Sequence, residues 1–327
     1  MSSINTNASA MTALKTLNAT NKALETTQSR IATGMRVADA SDNAAYWSIA
    51  TTMRSDNKAL STVKDALGLG AAKVDTAYTG MNAAIEVVDE IKSKLVAARE
   101  PGVDRAKIQA EITQLQGQLT ANASAASFSG ENWLSVKSDA TGYNATKSIV
   151  GSFTRAADGS VSVGTISVDT ASTKLFDSGA NLATGGATVG GGGTGILDAA
   201  RSATTGARLA DQTAAGFSVS GLSISALTNS TADLATLDNY IKGVDAALSE
   251  MTTAASDLGA AKKRIEIQST FVTNLMDTID RGVGTLVDAD MNKESTRLQA
   301  LQVQQQLGIQ ALSIANGNSQ SVLSLFR

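Results

Sequence analysis

The chain has no cysteine, no histidine and a single proline, and only 4% of it is aromatic. Without cysteine there is no disulfide framework and no thiol chemistry. Without histidine the usual general base near neutral pH and the commonest metal ligand are both missing. Because 43% of the residues are nonetheless apolar, the core is aliphatic and alanine-rich. That composition suits helix packed on helix better than a globular α/β core. No apolar run is long enough to span a membrane, and the first turns of the chain hold no secretory-type apolar region. These two features fit either a cytoplasmic protein or one exported without a cleaved signal. A net charge of −3 predicts neither a nucleic-acid partner nor an anionic membrane partner.

What the chain does have is apolar residues at alternating steps of three and four. The strongest run passes through Leu234, Leu237, Ile241, Val244, Leu248, Met251, Leu258, Ile265, Val272, Met276, Ile279, Val283 and Leu286, with Lys262 and Ser269 as polar interruptions. Such spacing keeps one narrow stripe on one side of a helix, and that stripe needs a second helix along it. An unbroken helix here is roughly 80 Å long at about 1.5 Å per residue, so its partner must be of similar length. A matching run supplies it: Leu60, Val63, Leu67, Gly70, Val74, Met81, Val88, Ile91 and Leu95, broken by Pro101-Gly102. A third, shorter helix starts at the N-cap candidate Asp104. The predicted fold is mainly α: a long antiparallel helical hairpin, or coiled-coil rod, formed by both chain ends.

The two extremities carry weaker stripes. Leu14, Leu17, Asn21, Leu24, Gln28, Ile31 and Met35 mark the first; Leu298, Leu301, Gln305, Gly308, Leu312, Ala315, Ser319, Val322 and Phe326 mark the last. Amides within a seam weaken packing while favouring one register, so each helix is marginal alone. Each joins its long neighbour through an aspartate-bearing connector where the stripe changes phase. The symmetry of the ends predicts that the two helices pair and act together.

Residues 131–231 differ in character. More than half of the 28 glycines lie near or within them, including Gly190–Gly193, beside alternating runs at 160–168 and 217–225. Period-two alternation with glycine punctuation predicts β-hairpins, hence a small β-rich insertion. The tetraglycine lacks the Lys-Ser/Thr or strand context of a phosphate cradle and reads as a loop. Asp39/Asp42 and Asp288/Asp290 read as helix caps rather than cation ligands. The aromatic pair Tyr46-Trp47 reads as a packing anchor. Nothing supports catalysis, a cofactor or a metal.

Several stretches resemble bacterial flagellin: INTN at 4–7, SRIATGMRV at 29–37, DNAA at 42–45, QQQLG at 304–308 and SVLSLFR at 321–327. The wording DASDNAAYW at 39–47 is similar to the rhizobial type. The resemblance implies a secreted structural subunit that polymerises into the extracellular flagellar filament for motility. It implies export through the flagellar type III apparatus, with copies of itself, an export chaperone, filament cap and hook-junction proteins as partners, and leaves open whether sibling flagellins co-assemble. It further implies that residues 1–36 and 291–327 form the filament core, 37–45 and 287–290 the joint, 46–130 and 232–286 the rod, and 131–231 the variable outer domain. The expected assembly core comprises Ile4, Leu14, Leu17, Leu24, Ile31, Met35, Leu298, Leu301, Leu312, Val322, Leu325 and Phe326. The family's plant-recognised epitope corresponds to Ser29–Ala50, where the usual Lys-Asp-Asp reads Ser41-Asp42-Asn43 and the next small and aliphatic pair reads Tyr46-Trp47. At the stretch resembling the vertebrate receptor site, Arg-Glu-Leu is replaced by Ser93-Lys94-Leu95. Weak signalling through both receptors is therefore expected. A hook–filament junction protein is the alternative within the family. A chemoreceptor-type hairpin would need a transmembrane anchor, and an inserted metalloprotease would need His-Glu-x-x-His, which a chain without histidine excludes.

Overall fold

The computed structural model describes residues 7–178, 194–209 and 216–324, with side chains as far as Gly317 in the last helix. In chain order it contains α1 (Ala8–Thr33), α2 (Ala44–Ala97), α3 (Arg105–Ala125), β1 (Ser127–Phe128), β2 (Glu131–Asn132), β3 (Ser135–Val136), β4 (Thr146–Arg155), β5 (Val161–Asp169), β6 (Phe176–Asp177), α4 (Thr231–Val287) and α5 (Met291–Ser324). It divides into two compact units: Met1–Ala59 with Leu275–Arg327, and Leu60–Asn274.

In the unit Leu60–Asn274, α2, α3 and α4 bury their stripes together. Leu67, Val74, Met81, Val88, Ile91 and Leu95 of α2, Ile112 and Leu119 of α3, and Val244 and Leu258 of α4 are all fully buried. Leu60, Val63, Leu237, Ile265 and Val272 are buried too, whereas Ile241 and Leu248 are half-buried. Each fully buried aliphatic side chain contributes about 1.5–3 kcal/mol, so this stripe dominates the unit's stability. Ion pairs Lys262–Asp75 and Lys92–Asp245, and Arg99–Asp238 just past the end of α2, run in opposite residue order along α2 and α4, which makes the two helices antiparallel. Asp104 caps α3, accepting from the amides of Ala106 and Lys107. Beside it the buried Arg105 donates to Ala98 O, Leu227 O and Asn229 Oδ1, tying both turns at this end of the bundle.

The segment between α3 and α4 holds few strands. β4 and β5 form an antiparallel hairpin, β1 and β2 a two-residue pair, and β3 pairs parallel with β6. The hairpin rests on α2 at Gly70, where any Cβ would collide with the Ile149 side chain. The seam position thus carries glycine because a strand crosses it.

The alternation at 217–225 does not make a strand. Phe217, Val219, Leu222 and Ile224 are buried, but Ser218 is buried with them and the spacing shifts by one between Val219 and Leu222, so the burial does not alternate. Phe217 makes an isolated antiparallel bridge with Arg201, and further on the backbone bonds to side chains of α3: Gln116 Nε2 donates to Val219 O and Leu222 O, and Ile224 N donates to Gln109 Oε1 at 2.7 Å. Two glutamines do what a neighbouring strand would otherwise do. The tetraglycine 190–193 lies outside the described residues.

A polar cluster holds β6. Lys174 Nζ and Thr194 Oγ1 both bond Asp177 Oδ2, and Asp177 N donates to Asp198 Oδ2 at 2.7 Å. Burial raises the Asp198 carboxyl to about 6, and the adjacent Asp177 charge adds to the rise. Burial also opposes ionisation of Asp177, yet the bonds from Lys174, Thr194 and Ser138 outweigh it and hold this carboxyl well below the usual range. The two act on stability in opposite ways. Asp177 contributes fully at any pH above about 4. Asp198 binds its proton more tightly folded than unfolded, so stability falls as pH rises from about 4 to about 6 and stays lower above. Between pH 5 and 7.5 this amounts to about 1 kcal/mol. Urea unfolding should show that loss in the parent chain, and Asp198→Asn should abolish it.

Candidate assembly surface

In the unit Met1–Ala59 with Leu275–Arg327, α1 and α5 lie antiparallel. Asn7 Nδ2 donates to Ala315 O at 2.9 Å, Gln305 Nε2 to Asn21 Oδ1 at 2.8 Å, and Arg30 Nη1 reaches Glu294 Oε1 at 3.3 Å. Leu17 packs against Gly308, 3.2 Å from where a Cβ would stand. Asn7 caps α1 by accepting from Ala10 N. Polar rungs, not apolar area, therefore set this register.

The apolar seal between the helices is thin. Among the described side chains of α1 and α5, Leu301 is the one buried apolar residue, and Thr20, Thr27 and Glu294 are buried polar ones. Large apolar side chains instead face outward: Met11 at 64% exposure, Ile314 at 66%, and Leu14, Met291, Val303, Leu307 and Ile309. The covered stripe of α1 steps through Ala13, Leu17, Thr20, Leu24, Thr27 and Ile31. It shares Leu17, Leu24 and Ile31 with the spacing read from apolar residues alone, while Leu14, Asn21 and Gln28 are exposed. Threonine was the missed signal: Thr20 turns its hydroxyl back to Thr16 O and leaves its methyl for packing. On α5 the covered stripe is Leu298, Leu301, Gln305, Gly308, Leu312 and Ala315. Val322 is in helix but its side chain, like Ile4, Leu325 and Phe326, lies outside the described residues. From 298 to 326 the sequence has no charged residue, so nothing on that length opposes burial by desolvation of an ion.

The connectors are held much more firmly. α1 ends on Gly34 at φ 71°, a left-handed conformation that glycine adopts without a Cβ penalty. Gly34 O then accepts from Ala289 N, Val287 O accepts from Arg36 N and Val37 N, and Met35 bridges Asp288. The Arg36 guanidinium donates to Leu286 O. Val37, Ala50, Val283 and Val287 bury one another, with Met53 and Ile279 packed on them. Met35 itself is half-buried. Asp42 Oδ2 accepts from Ala38 N and Asp39 N, Asn43 Oδ1 from Tyr46 N, and Asp290 Oδ1 from Asn292 N and Lys293 N. Tyr46 and Trp47 are exposed at 41% and 38%. Ser41 and Asp42 are exposed and Asn43 is half-buried. In the other unit Ser93 is exposed, Lys94 pairs with Glu111 at 2.7 Å, and Leu95 is fully buried.

Two family models match the chain. Residues 4–139 match the bacterial flagellin N-terminal helical region, and residues 241–326 match the bacterial flagellin C-terminal helical region. Over the full length of both proteins, the chain is 56% identical to Flagellin C of Rhizobium meliloti strain 1021 and 49% identical to Flagellin A of Rhizobium meliloti. It is 44% identical to a flagellin of Brucella melitensis biotype 1, again over all of both chains. The matches cover the two capped terminal helices, their connectors and the long helices alike, and the chain belongs to the bacterial flagellin family.

Proposed function

We propose that this chain is a filament subunit whose terminal helices complete their packing only against copies of itself. As a flagellin it builds the flagellar filament and so serves motility; the structural reading concerns how it does so. One observation carries it: α1 and α5 together bury a single described apolar side chain while seven large ones stand exposed. Helices with so little sealed surface do not offset the entropy of ordering them, at about 1–2 kcal/mol per residue. Apolar burial against neighbours, at about 25 cal/mol per Å² and repeated over several contacts, does. In this reading residues 1–36 and 291–327 form the filament core, 37–45 and 287–290 the joint, 46–130 and 232–286 the rod, and 131–231 the outer domain. The subunit leaves the cell unfolded through the flagellar export apparatus, escorted by a chaperone, and adds beneath the cap at the distal end of the filament. The purified chain, added to filament seeds and viewed by electron microscopy, should extend them into long filaments; ends that cap without lengthening would contradict the proposal.

Weak receptor signalling belongs to the same proposal. Leu95 is fully buried and Lys94 is engaged by Glu111, so this stretch presents a paired cation where the family pattern has an anion. A synthetic peptide spanning Ser29–Ala50 should activate plant cells far less than the same peptide carrying Ser41→Lys and Asn43→Asp. Equal responses would show that these positions do not govern recognition.

A further inference from the structure

The unit formed by both chain ends carries exposed charges of opposite sign on separate stretches. Lys15 and Lys22 stand exposed on α1, flanking a shallow hollow of about 400 Å³ lined also by Met11, Leu14, Asn18 and Ala19. The connectors expose Asp39, Asp42, Asp288 and Asp290. Asp42 and Asp290 accept backbone amides, and those bonds leave their charge in place. None of these six groups enters an ion pair among the described residues. The cationic stretch and the anionic one are set apart along the axis of α1. From Lys22 to the end of the helix at Thr33 the rise is about 16 Å, and from Lys15 about 27 Å, at roughly 1.5 Å per residue.

We propose that the Lys15–Lys22 face of α1 docks on the aspartate-bearing connectors of a second copy displaced by about 15–30 Å along that helix. The inference rests on the assembly reading above and supplies the contact that selects its axial offset. Within one copy the connectors do not reach this face, because they lie that distance away along the same helix. A polymer of identical, identically oriented copies brings the opposite charges together at every repeat. The uncharged length of α5 offers no charge pattern to discriminate between offsets. Opposite charges penalise the wrong offset by placing like beside like. The docking thus acts as a register device more than as a source of affinity.

The test is seeded elongation followed by light scattering, at about 20 mM and about 300 mM salt, where the screening length drops severalfold. Lys15→Glu with Lys22→Glu should slow growth on its own seeds about tenfold in low salt, the size that two reversed exposed pairs produce. Asp39→Lys with Asp288→Lys should do the same, and the fourfold variant should regain most of the parent rate. High salt should narrow all these differences. Lys15→Arg with Lys22→Arg, which keeps the charge, should grow as the parent does, and circular dichroism should show unchanged helix content throughout. Parent-like growth of the Lys→Glu chain in low salt overturns the docking; slowing without rescue in the fourfold variant rejects the connector as its occupant. If the parent chain itself fails to extend seeds, the assembly reading falls instead.

Discussion

Removing residues 308–327 should stop filament growth while leaving the unit Leu60–Asn274 folded. The cut removes Gly308, against which Leu17 packs, and Ala315, whose carbonyl holds Asn7 at the start of α1. It also removes Ile309 and Ile314, exposed in the single chain at 55% and 66%. If both become buried between copies, each contributes about 1.5–3 kcal/mol to subunit addition. Losing the pair alone weakens addition by about a hundredfold to ten-thousandfold. The thermal transition of the unit Leu60–Asn274 should stay close to that of the parent, because the cut removes no residue of that unit. Filaments of ordinary length from the shortened chain would show that α5 is not needed for assembly.

A large stability loss should come from Glu250→Ala. Arg201 is entirely buried, and its Nη2 donates to Glu250 Oε1 at 3.1 Å and to Ile196 O at 3.3 Å. Among the described residues its Nε and Nη1 have no partner. Desolvation already lowers the Arg201 pKa, and the Glu250 charge is the main opposing influence. Deleting that carboxylate leaves a buried cation uncompensated, a change that costs about 3–5 kcal/mol in a dry interior. Because the Glu250 side chain is 33% exposed, water recovers part of the loss, and about 2–3 kcal/mol is the expected cost. Urea unfolding measures it. Adding Arg201→Met to Glu250→Ala should recover much of the stability, since the double change removes the stranded charge as well as its partner. A double variant no more stable than Glu250→Ala would place the cost in lost packing rather than in the unpaired guanidinium.

These two sites differ in how far they can be read from residues alone. The stripes of α2 and α4 are legible because each long helix repeats the same chemistry every three or four residues, and local periodicity carries the whole message. The covered stripe of α1 is only half legible. Thr20 and Thr27 count as polar in any apolar pattern, yet they occupy the buried face, and Leu14 counts as apolar yet stands exposed. The connector joint leaves little trace, since backbone groups of Gly34, Arg36, Val37, Val287 and Ala289 make its bonds. Its aspartates read as caps from their type and place, and Asp42 and Asp290 do accept backbone amides. The run 217–225 shows a different failure: its apolar residues are buried, but the pattern cannot say that Ser218 is buried with them or that Gln109 and Gln116, a hundred residues earlier, replace a neighbouring strand. The Arg201–Glu250 pair has no local signature at all.

The most direct measurement of the central claim is hydrogen exchange of the same chain, free and in seeded filaments. The amides of α1 and α5 should exchange orders of magnitude faster than those buried between α2 and α4 in the free chain, because among the described residues their opening is opposed by one buried apolar side chain and three polar rungs. In the filament they should become as protected as the long helices. Equal protection of the terminal helices in the free chain and in the filament would mean that they seal themselves, and the account of assembly through unfinished packing would be wrong.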